Sequence, residues 1–261
     1  MIRILLFLLF LSFSNQLIAQ NSELDSLSRK ATDPTAIMWQ LQLEDFWEPL
    51  TSTDDFSKNQ FRVRIVLPLS GKNKGSWDHL IRVTFKGLNT TQNTFGLGDT
   101  EVFDMIIPKR YSWGAWSLGP LAYLPTATNS NFGSGKFSLG LAAGLSFNNP
   151  SMGRWQVDFL LEYLHSVAGD MNKSDANQVQ LQPSITYHLN QGFYLETEPV
   201  FAYSFEHSSV TLPINLRFGK VWIINGQKYN TYIEPETTMY SQESTYTIAG
   251  FRFGLRFLFK E

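Results

Sequence analysis

The chain contains no cysteine, and this absence excludes several classes of protein at once. Without Cys in 261 residues, it has no disulfide, no thiol nucleophile and no Cys-based metal site, and it is not a lipoprotein. Charged residues are also scarce, at 17%, whereas soluble proteins carry about a quarter. The formal net charge of −2 supplies no basic surface, so nucleic acid is not expected as a partner.

Long apolar runs are scarce as well, and the clearest one is near the N-terminus. The run Ile4–Ser12 follows Arg3 and precedes the small residue Ala19. A positive charge, a short apolar run and a small residue are typical of a secretory signal peptide, and the run is too short to span a bilayer. We expect a signal peptide over residues 1–19, with a retained N-terminal anchor as the alternative. The polar residues 20–34 are expected to form a short periplasmic segment.

Aromatic residues, in contrast, are abundant. The chain has 21 Phe, 10 Tyr and 7 Trp, which together make up 15% of its residues. Mean hydropathy is nevertheless slightly negative, at −0.16. Apolar residues that alternate with polar ones account for both observations. This combination is typical of a membrane β-barrel, in which only every second residue of a strand faces lipid.

The alternation is clearest at the C-terminal end of the chain. Phe251, Phe253 and Phe257 fall on one side of a strand, and Arg252 and Arg256 fall on the other. A period of two residues excludes an amphipathic helix. A soluble β-sandwich could bury the Phe side in its core, so this strand alone does not distinguish membrane from water.

The same alternation recurs along the whole chain after the predicted signal peptide. The clear segments are 37–44, 61–67, 81–86, 137–146, 155–163, 178–188, 193–205, 210–218 and 251–259, and weaker ones cover 99–107, 113–124 and 229–240. They predict about twelve strands, and an even number is what bacterial barrels contain. The predicted fold class is all-β, a single transmembrane antiparallel β-barrel over residues 35–261.

Turns and tryptophans support a barrel in a membrane. The pair Asn225-Gly226 is a strong signal for a two-residue hairpin turn, because both residues accept positive φ. Short turns are expected on the periplasmic side at 109–112, 189–192 and 225–226, and longer external loops at 48–59, 89–97, 125–135 and 167–177. Most Trp residues fall near predicted strand ends, as in the aromatic girdles at membrane interfaces, which favours a membrane barrel over a secreted sandwich.

Several short stretches, in a specific order, resemble a known family. They are Leu27-Ser28-Arg29-Lys30-Ala31-Thr32-Asp33-Pro34-Thr35, Phe95-Gly96-Leu97-Gly98-Asp99, Gly119-Pro120 with Leu124-Pro125-Thr126, Phe132-Gly133-Ser134-Gly135-Lys136, Ala168-Gly169-Asp170, Gln182-Pro183-Ser184-Ile185-Thr186-Tyr187 and Phe218-Gly219-Lys220. Through them the chain resembles the bacterial outer-membrane proteins grouped with the meta-pathway phenol-degradation family, often described as transporters. The resemblance implies a barrel in the bacterial outer membrane and a transport role, with aromatic compounds as candidate solutes, and it implies no catalytic residues.

The charges predicted to face the lumen are the main functional candidates. The basic wall consists of Arg62, Arg64, Arg82, Lys86, Arg217, Arg252 and Arg256, and the acidic wall of Asp158, Glu162, Glu196, Glu198, Glu234 and Glu236. Segregation is incomplete, because Glu44 interrupts the basic side and Arg217 lies between acidic strands. Opposed walls would create a field that orients a polar or zwitterionic solute in a water-filled passage. Alternatively, the charges pair across a narrow lumen and seal it, because buried charges need partners.

An enzyme is the less favoured alternative. His207 and Ser209 could project from one strand face, as a His-activated Ser nucleophile of an esterase or phospholipase would require. The segment fits an external turn equally well, and no Gly-x-Ser-x-Gly motif is present. His79, His165 and His188 lie on separate segments, so neither a metal site nor a cofactor is expected.

These observations predict an outer-membrane channel or transporter for small solutes, with aromatic or zwitterionic compounds as candidates. A structural or ligand-binding barrel with a sealed lumen is the alternative. The expected partners are outer-membrane lipid, a small-molecule solute and, during biogenesis, the barrel-assembly machinery. Neither the solute nor the oligomeric state follows from the sequence.

Overall fold

The computed structural model describes residues 22–53, 58–71, 76–90 and 95–259, so the predicted signal peptide lies outside the described residues. One α-helix, α1, covers residues 22–32, and a short 3-10 helix covers Pro150–Met152. The strands are β1 (Trp39–Thr51), β2 (Lys58–Leu69), β3 (Asp78–Thr90), β4 (Phe95–Leu97), β5 (Thr100–Ile107), β6 (Arg110–Tyr111), β7 (Gly114–Leu124), β8 (Lys136–Phe147), β9 (Trp155–Gly169), β10 (Asn177–His188), β11 (Phe193–Thr197), β12 (Phe201–Ser204), β13 (Ser209–Asn215), β14 (Arg217–Ile224), β15 (Gln227–Ser241) and β16 (Thr247–Phe259). Within the described ranges, no helix has the length and apolar character needed to cross a membrane.

These segments form a closed antiparallel barrel of twelve strands. Four of the sixteen segments are continuations of others: β4, β5 and β6 form one barrel strand, β11 and β12 another, and β13 and β14 a third. The barrel closes where β1 pairs with β16, from Trp39 opposite Phe259 to Thr51 opposite Thr247. The predicted fold class, an all-β single barrel of about twelve strands, is confirmed.

The two ends of the barrel differ in their connections. We call the end where β1 begins and β16 ends the near end, and the opposite one the far end. The near-end hairpin at Asn225-Gly226 has φ of 52° and 79°, as predicted for a two-residue turn with positive φ at both residues. At the far end, β1 continues to Thr51 and β3 to Thr90, where loops were expected from 48 and 89. Strand pairing extends past the alternating segment because backbone hydrogen bonds do not depend on apolar side chains.

The outer face of the barrel is apolar, and the inner face is mostly polar. Leu141 and Leu161 are 57% and 44% exposed, whereas the next residue along each strand, Ala142 and Glu162, is buried inside the barrel. The same alternation follows the other long strands. A continuous apolar surface of this extent is not tolerated in water by a monomeric protein, but it matches the hydrocarbon core of a bilayer.

Aromatic residues form a belt at each end of this apolar surface. The near end carries Trp39, Trp77, Trp113, Trp155 and Trp222, and the far end carries Trp47 together with Tyr163, Phe205 and Phe251. Rings on neighbouring strands touch within each belt, as in the pair Trp155–Tyr187, with ring centroids 4.7 Å apart, and the pair Trp47–Phe251, at 6.0 Å. Amphipathic rings favour the level of lipid headgroups, so the two belts mark two membrane interfaces.

The segment between the predicted signal peptide and the barrel folds as a helix that lies within the near end. Leu24, Leu27 and Ala31 are spaced to share one helix face, and Asp33-Pro34 ends the helix because the residue before proline disfavours helical backbone. This apolar face packs against Val221 and Leu258 of the barrel wall. The sequence predicts only a polar periplasmic segment over residues 20–34, because three apolar residues make too short a stripe to predict an inserted helix.

Two inward-facing glycines allow tyrosine rings to lie flat on the barrel wall near its closure. A Cβ atom at Gly254 would lie 2.1 Å from the Tyr232 ring on the neighbouring strand, and one at Gly219 would lie 2.1 Å from Tyr194. In this position Tyr232 reaches across β16 and donates a 2.6 Å hydrogen bond to Glu44 on β1. Tyr194 likewise reaches across β14 and donates a 2.9 Å hydrogen bond to Asn230 on β15. Gly254 therefore makes room for a ring that holds the last strands to the first, and Gly219 for one that joins β11 to β15.

We predict that Gly254→Val destabilises the barrel by about 1–3 kcal/mol, the usual range for overpacking a tight core, because the valine side chain collides with the Tyr232 ring. The measurement is urea-induced unfolding in lipid vesicles. In a Tyr232→Ala background the ring is absent, so the additional cost of Gly254→Val should fall below about 1 kcal/mol. Equal costs in both backgrounds would contradict the proposed contact.

Candidate functional site

The lumen contains a cavity of about 760 Å³, which is the main candidate site. Its floor at the near end is formed by Thr32, the last residue of α1, and by Asp33 directly after it. Its upper wall is formed by Thr51, Thr211 and Tyr246 at the far end. A volume between 300 and 1,000 Å³ is typical of small-molecule sites. The cavity therefore has the size for a small solute and extends from the far-end loops down to the helix.

The residues of the predicted basic wall all line this cavity, but only six of them are neighbours. Arg62 and Arg64 lie on β2, Arg82 and Lys86 on β3, Arg252 and Arg256 on β16, and Arg217 alone on β14. Because β16 pairs with β1, β1 with β2 and β2 with β3, the first six share one side of the barrel. Arg217 lies elsewhere, among carboxylates.

Arg217 is the centre of the predicted acidic wall. Its guanidinium forms ion pairs with Glu196 and Glu234 on the two adjacent strands and with Glu198, at 2.9 Å. The side chain is only 3% exposed. Arg252 continues this network, with 3.3 Å contacts to both Glu234 and Glu236. Basic and acidic residues thus pair here between neighbouring strands and do not face each other across the lumen.

The two remaining residues of the predicted acidic wall lie on β9. Glu162 is 3.5 Å from Arg82, which connects it to the basic side. Asp158 is buried near the floor of the cavity and accepts a 2.9 Å hydrogen bond from Gln156, while its Oδ1 atom has no hydrogen-bond partner among the described residues. These carboxylates extend the charged lining around the barrel from β9 to β16.

Two further carboxylates belong to the site. Glu101 on β5 forms a 2.8 Å ion pair with Arg82 and accepts a 2.9 Å hydrogen bond from Tyr123. It is not among the residues predicted from the sequence, because the alternation over 99–107 is weak. Glu44, noted only as an interruption of the basic side, lies 3.3 Å from Arg62 and 3.7 Å from Arg256. Cross-strand register would have identified both, since a carboxylate beside an inward arginine must also face inward.

Arg64 and Lys86 differ from the other lumen cations. Arg64 donates hydrogen bonds to Thr84 and Gln42, both at 3.3 Å, and Lys86 lies 5.2 Å from the centre of the Tyr123 ring. Among the described residues, neither has a carboxylate within ion-pairing distance. These two cations in the middle of the lumen therefore form no direct ion pair with a carboxylate of the described wall.

The near end of the lumen is covered by α1, which is held mainly by hydrogen bonds. Ser28 contacts His188 at 3.0 Å, and Asp25 accepts a 3.0 Å hydrogen bond from the backbone of Gly192. Just after the helix, Asp33 accepts hydrogen bonds from Ser146 and Asn148, at 3.1 and 2.8 Å. These partners belong to different strands and turns around the opening, so the helix and the residues after it lie across the lumen.

The structure does not bring the candidate catalytic pair together. Ser209 donates a hydrogen bond to Glu243, while His207 is exposed in the far-end turn, and the described residues contain no hydrogen bond between the two. The described part of the chain also holds no group of three or more His, Cys, Asp or Glu side chains suited to a metal ion.

Comparison with known proteins identifies the fold. No family model matches the chain, and no curated protein sequence matches it either. Among solved structures, the COG4313 outer membrane channel from Pseudomonas putida F1 superimposes with a TM-score of 0.65 and 9% identity, covering 87% of this chain and 97% of that chain. The KdgM porin (TM-score 0.51, 12% identity, 85% and 99% covered) and the NanC porin (0.50, 14%, 85% and 100%) are also similar. The fold is that of an outer-membrane β-barrel.

These likenesses are to channels and porins, and at 9–14% identity they show the fold alone. The barrel-forming part of this chain accounts for almost the whole length of each neighbour. What this barrel does must therefore be argued from its own lumen.

We predict that Arg217→Met destabilises the barrel by about 3–5 kcal/mol, because it leaves the buried carboxylate of Glu196 without a cation and removes one of the two cations beside Glu234. The measurement is the free energy of unfolding in lipid vesicles. Adding Glu196→Gln and Glu234→Gln to the same chain should recover a large part of the loss. Arg62→Met is the matched control and should cost less, since Glu44 keeps Arg256 and Tyr232 as partners. Equal losses for Arg217→Met and Arg62→Met would contradict this account of the network.

Proposed function

We propose that the protein is an outer-membrane channel for small solutes, closed at the near end by α1 in the state described here. The observation that carries the proposal is the charged cavity of about 760 Å³, which extends from the far-end loops to the helix. Solutes would enter at the far end and leave at the near end when α1 moves. We infer a role that is not enzymatic. This agrees with the contacts of Ser209, which donates its hydrogen bond to Glu243 and not to His207.

The pattern of ion pairs supports a water-filled lumen over a sealed one. Arg252 pairs with Glu234 directly opposite it on the adjacent strand, and Arg217 pairs with Glu196 in the same way. Charges that pair along the wall satisfy each other without crossing the axis. The exception is the 3.5 Å pair of Arg82 on β3 with Glu162 on β9, which are not neighbouring strands. The remaining space between the walls stays free for water and solute.

The contacts of α1 support its role as a movable gate. Many of them are single hydrogen bonds between side chains that water could satisfy equally well, such as those of Ser28 with His188 and of Thr32 with Gln156. A typical hydrogen bond contributes only about 0.5–1.5 kcal/mol net, because water competes for both partners. The apolar face of the helix is small, with Leu27 and Ala31 as its buried members. Removal of a few contacts is therefore sufficient to shift the helix out of the opening.

Several further features belong to the same proposal. The apolar outer face and the aromatic belts fit outer-membrane lipid, with the near end in the periplasm and export through the predicted signal peptide. Assembly would use the barrel-assembly machinery. The resemblance to the meta-pathway phenol-degradation family supports aromatic compounds as candidate solutes, and the mixed charges of the lumen support zwitterionic ones.

A structural or ligand-binding barrel without conduction is the second candidate function. The packing of α1 across the near end favours it, because a permanently fixed helix would block passage. The two candidates differ in one observable property, which is whether loosening the helix produces a current.

We predict that Asp33→Ala raises the open probability in planar bilayers at least tenfold over the unmodified protein. The substitution removes hydrogen bonds from Ser146 and Asn148, and hydrogen bonds to charged groups contribute about 1.5–3 kcal/mol each, whereas 1.4 kcal/mol already corresponds to a factor of ten. Asp170→Ala, in a far-end loop, is the matched control and should leave the current unchanged. A lack of current in every variant would support the sealed barrel.

A cross-link tests whether the helix itself is the gate. The chain has no cysteine, so Ser28→Cys with His188→Cys introduces the two thiols alone. Joined by a short bis-methanethiosulfonate reagent, which forms a disulfide with each thiol and releases methanesulfinate, these residues should hold α1 in place in the Asp33→Ala background. The current should be abolished until the disulfides are reduced. A current that persists after cross-linking would show that solutes bypass the helix.

A further inference from the structure

We propose that the middle of the lumen binds a small organic carboxylate with an apolar body, its anionic group held by Arg62, Arg64 and Lys86. The inference deepens the proposed function, since it names the class of solute that the lumen would select. It rests on two separate features of the wall, a cluster of cations and an apolar patch directly below it.

The cations are arranged in a way that is costly without an anion. Arg62 lies directly opposite Lys86 on the neighbouring strand, and Arg64 lies two residues farther along β2 on the same face. Like charges directly opposite each other destabilise a sheet. Glu44 compensates Arg62, but no carboxylate of the described residues pairs with Arg64 or Lys86.

The polar neighbours of these cations complete a site for a carboxylate. Gln42 and Thr84 flank Arg64 from the two adjacent strands, and their contacts with its guanidinium hold it over the cavity. A guanidinium presents donors in a planar fork that matches the two oxygens of a carboxylate, and an ammonium adds a second positive charge from the side. One monovalent anion would accordingly bridge Arg64 and Lys86.

The apolar patch lies nearer to the floor on the same side of the barrel. Val66, Leu80, Phe103, Met105 and Leu160 come from four strands and line the cavity together. They face inward, where the interior of an outer-membrane barrel is expected to be polar, so contact with lipid does not explain them. Some of the patch packs against Ile37 after α1, but these five side chains also border open space.

The strand register sets the distance between the two features. Arg64 is opposite Thr84, Val66 is opposite Arg82, and Leu80 is opposite Met105 one level lower. At about 3.3 Å per residue along a strand, the patch begins about 7 Å below Arg64 and extends to about 13 Å. A carboxylate held at Arg64 with an alkyl body of six carbons reaches the upper level of the patch, where Val66 and Phe103 lie. Sugar acids and phosphates present no apolar surface and would leave the patch in contact with polar groups.

Binding of sodium hexanoate to the full-length protein in detergent micelles, measured by calorimetry, tests the proposal. Hexanoate should bind, whereas 1-hexanol, which lacks the charge, and acetate, which lacks the body, should each bind at least tenfold more weakly. Arg64→Gln and Lys86→Gln should each weaken hexanoate binding about tenfold. Lys109→Gln, at an exposed near-end position, is the matched control and should leave it unchanged.

A second variant separates the two parts of the site. Val66→Gln, at the upper level of the patch, should weaken hexanoate binding several-fold but leave acetate binding unchanged, because acetate does not reach the patch. Heat-dependent migration on gels verifies that each variant is folded. Hexanoate binding that is insensitive to Arg64→Gln and Lys86→Gln, or equal binding of hexanol and hexanoate, would overturn the proposal.

Failure of the binding proposal can be distinguished from failure of the channel proposal, because the two are tested by different measurements. If hexanoate fails to bind while Asp33→Ala still produces a current, the channel stands and its solute is of another class. If hexanoate binds as expected while no variant conducts, the site stands in a barrel without transport.

Discussion

The pairing of β1 with β16 is the constraint on which the rest of the structure depends. A membrane offers no water to an unpaired strand edge, so the sheet is stable there only when it is closed. Closure also decides which side chains meet. Glu44 lies on β1 between Arg62 on β2 and Arg256 on β16, and Tyr232 reaches it from β15. Residues from opposite ends of the chain thereby form one continuous wall.

A narrow, closed lumen requires its charges to find partners, and the way they do so determines what the lumen can accept. Arg217 is surrounded by carboxylates and contributes to stability rather than to selection. Arg64 and Lys86 are left without a carboxylate partner in the described ranges, beside an apolar patch. Around Arg217 the charges of the wall cancel and stabilise the barrel. Around Arg64 and Lys86 the wall can bind an anion. Below both, α1 covers the near end through contacts that are individually weak.

Much of the fold could be predicted from the sequence, because a period of two is a local property. The last strand, with Phe253 and Arg252 on opposite faces, and the turn at Asn225-Gly226 are examples. The partners of the lumen charges could not be predicted, since they depend on register and on closure between distant strands. The inserted helix could not be predicted, because its stability comes from barrel residues such as Leu258. Glu101 could not be predicted as a lumen residue, because its strand also has apolar residues facing inward, which weakens the alternation.

The central claim is that the lumen is a water-filled passage, and the accessibility of single cysteines tests it most directly. Gln180 lines the cavity on β10, and the next residue, Leu181, is 39% exposed on the outer face. In lipid vesicles, a charged, membrane-impermeant thiol reagent should modify Gln180→Cys rapidly and leave Leu181→Cys unmodified. Resistance of Gln180→Cys to the reagent in the folded barrel, with reaction restored on unfolding, would contradict the claim.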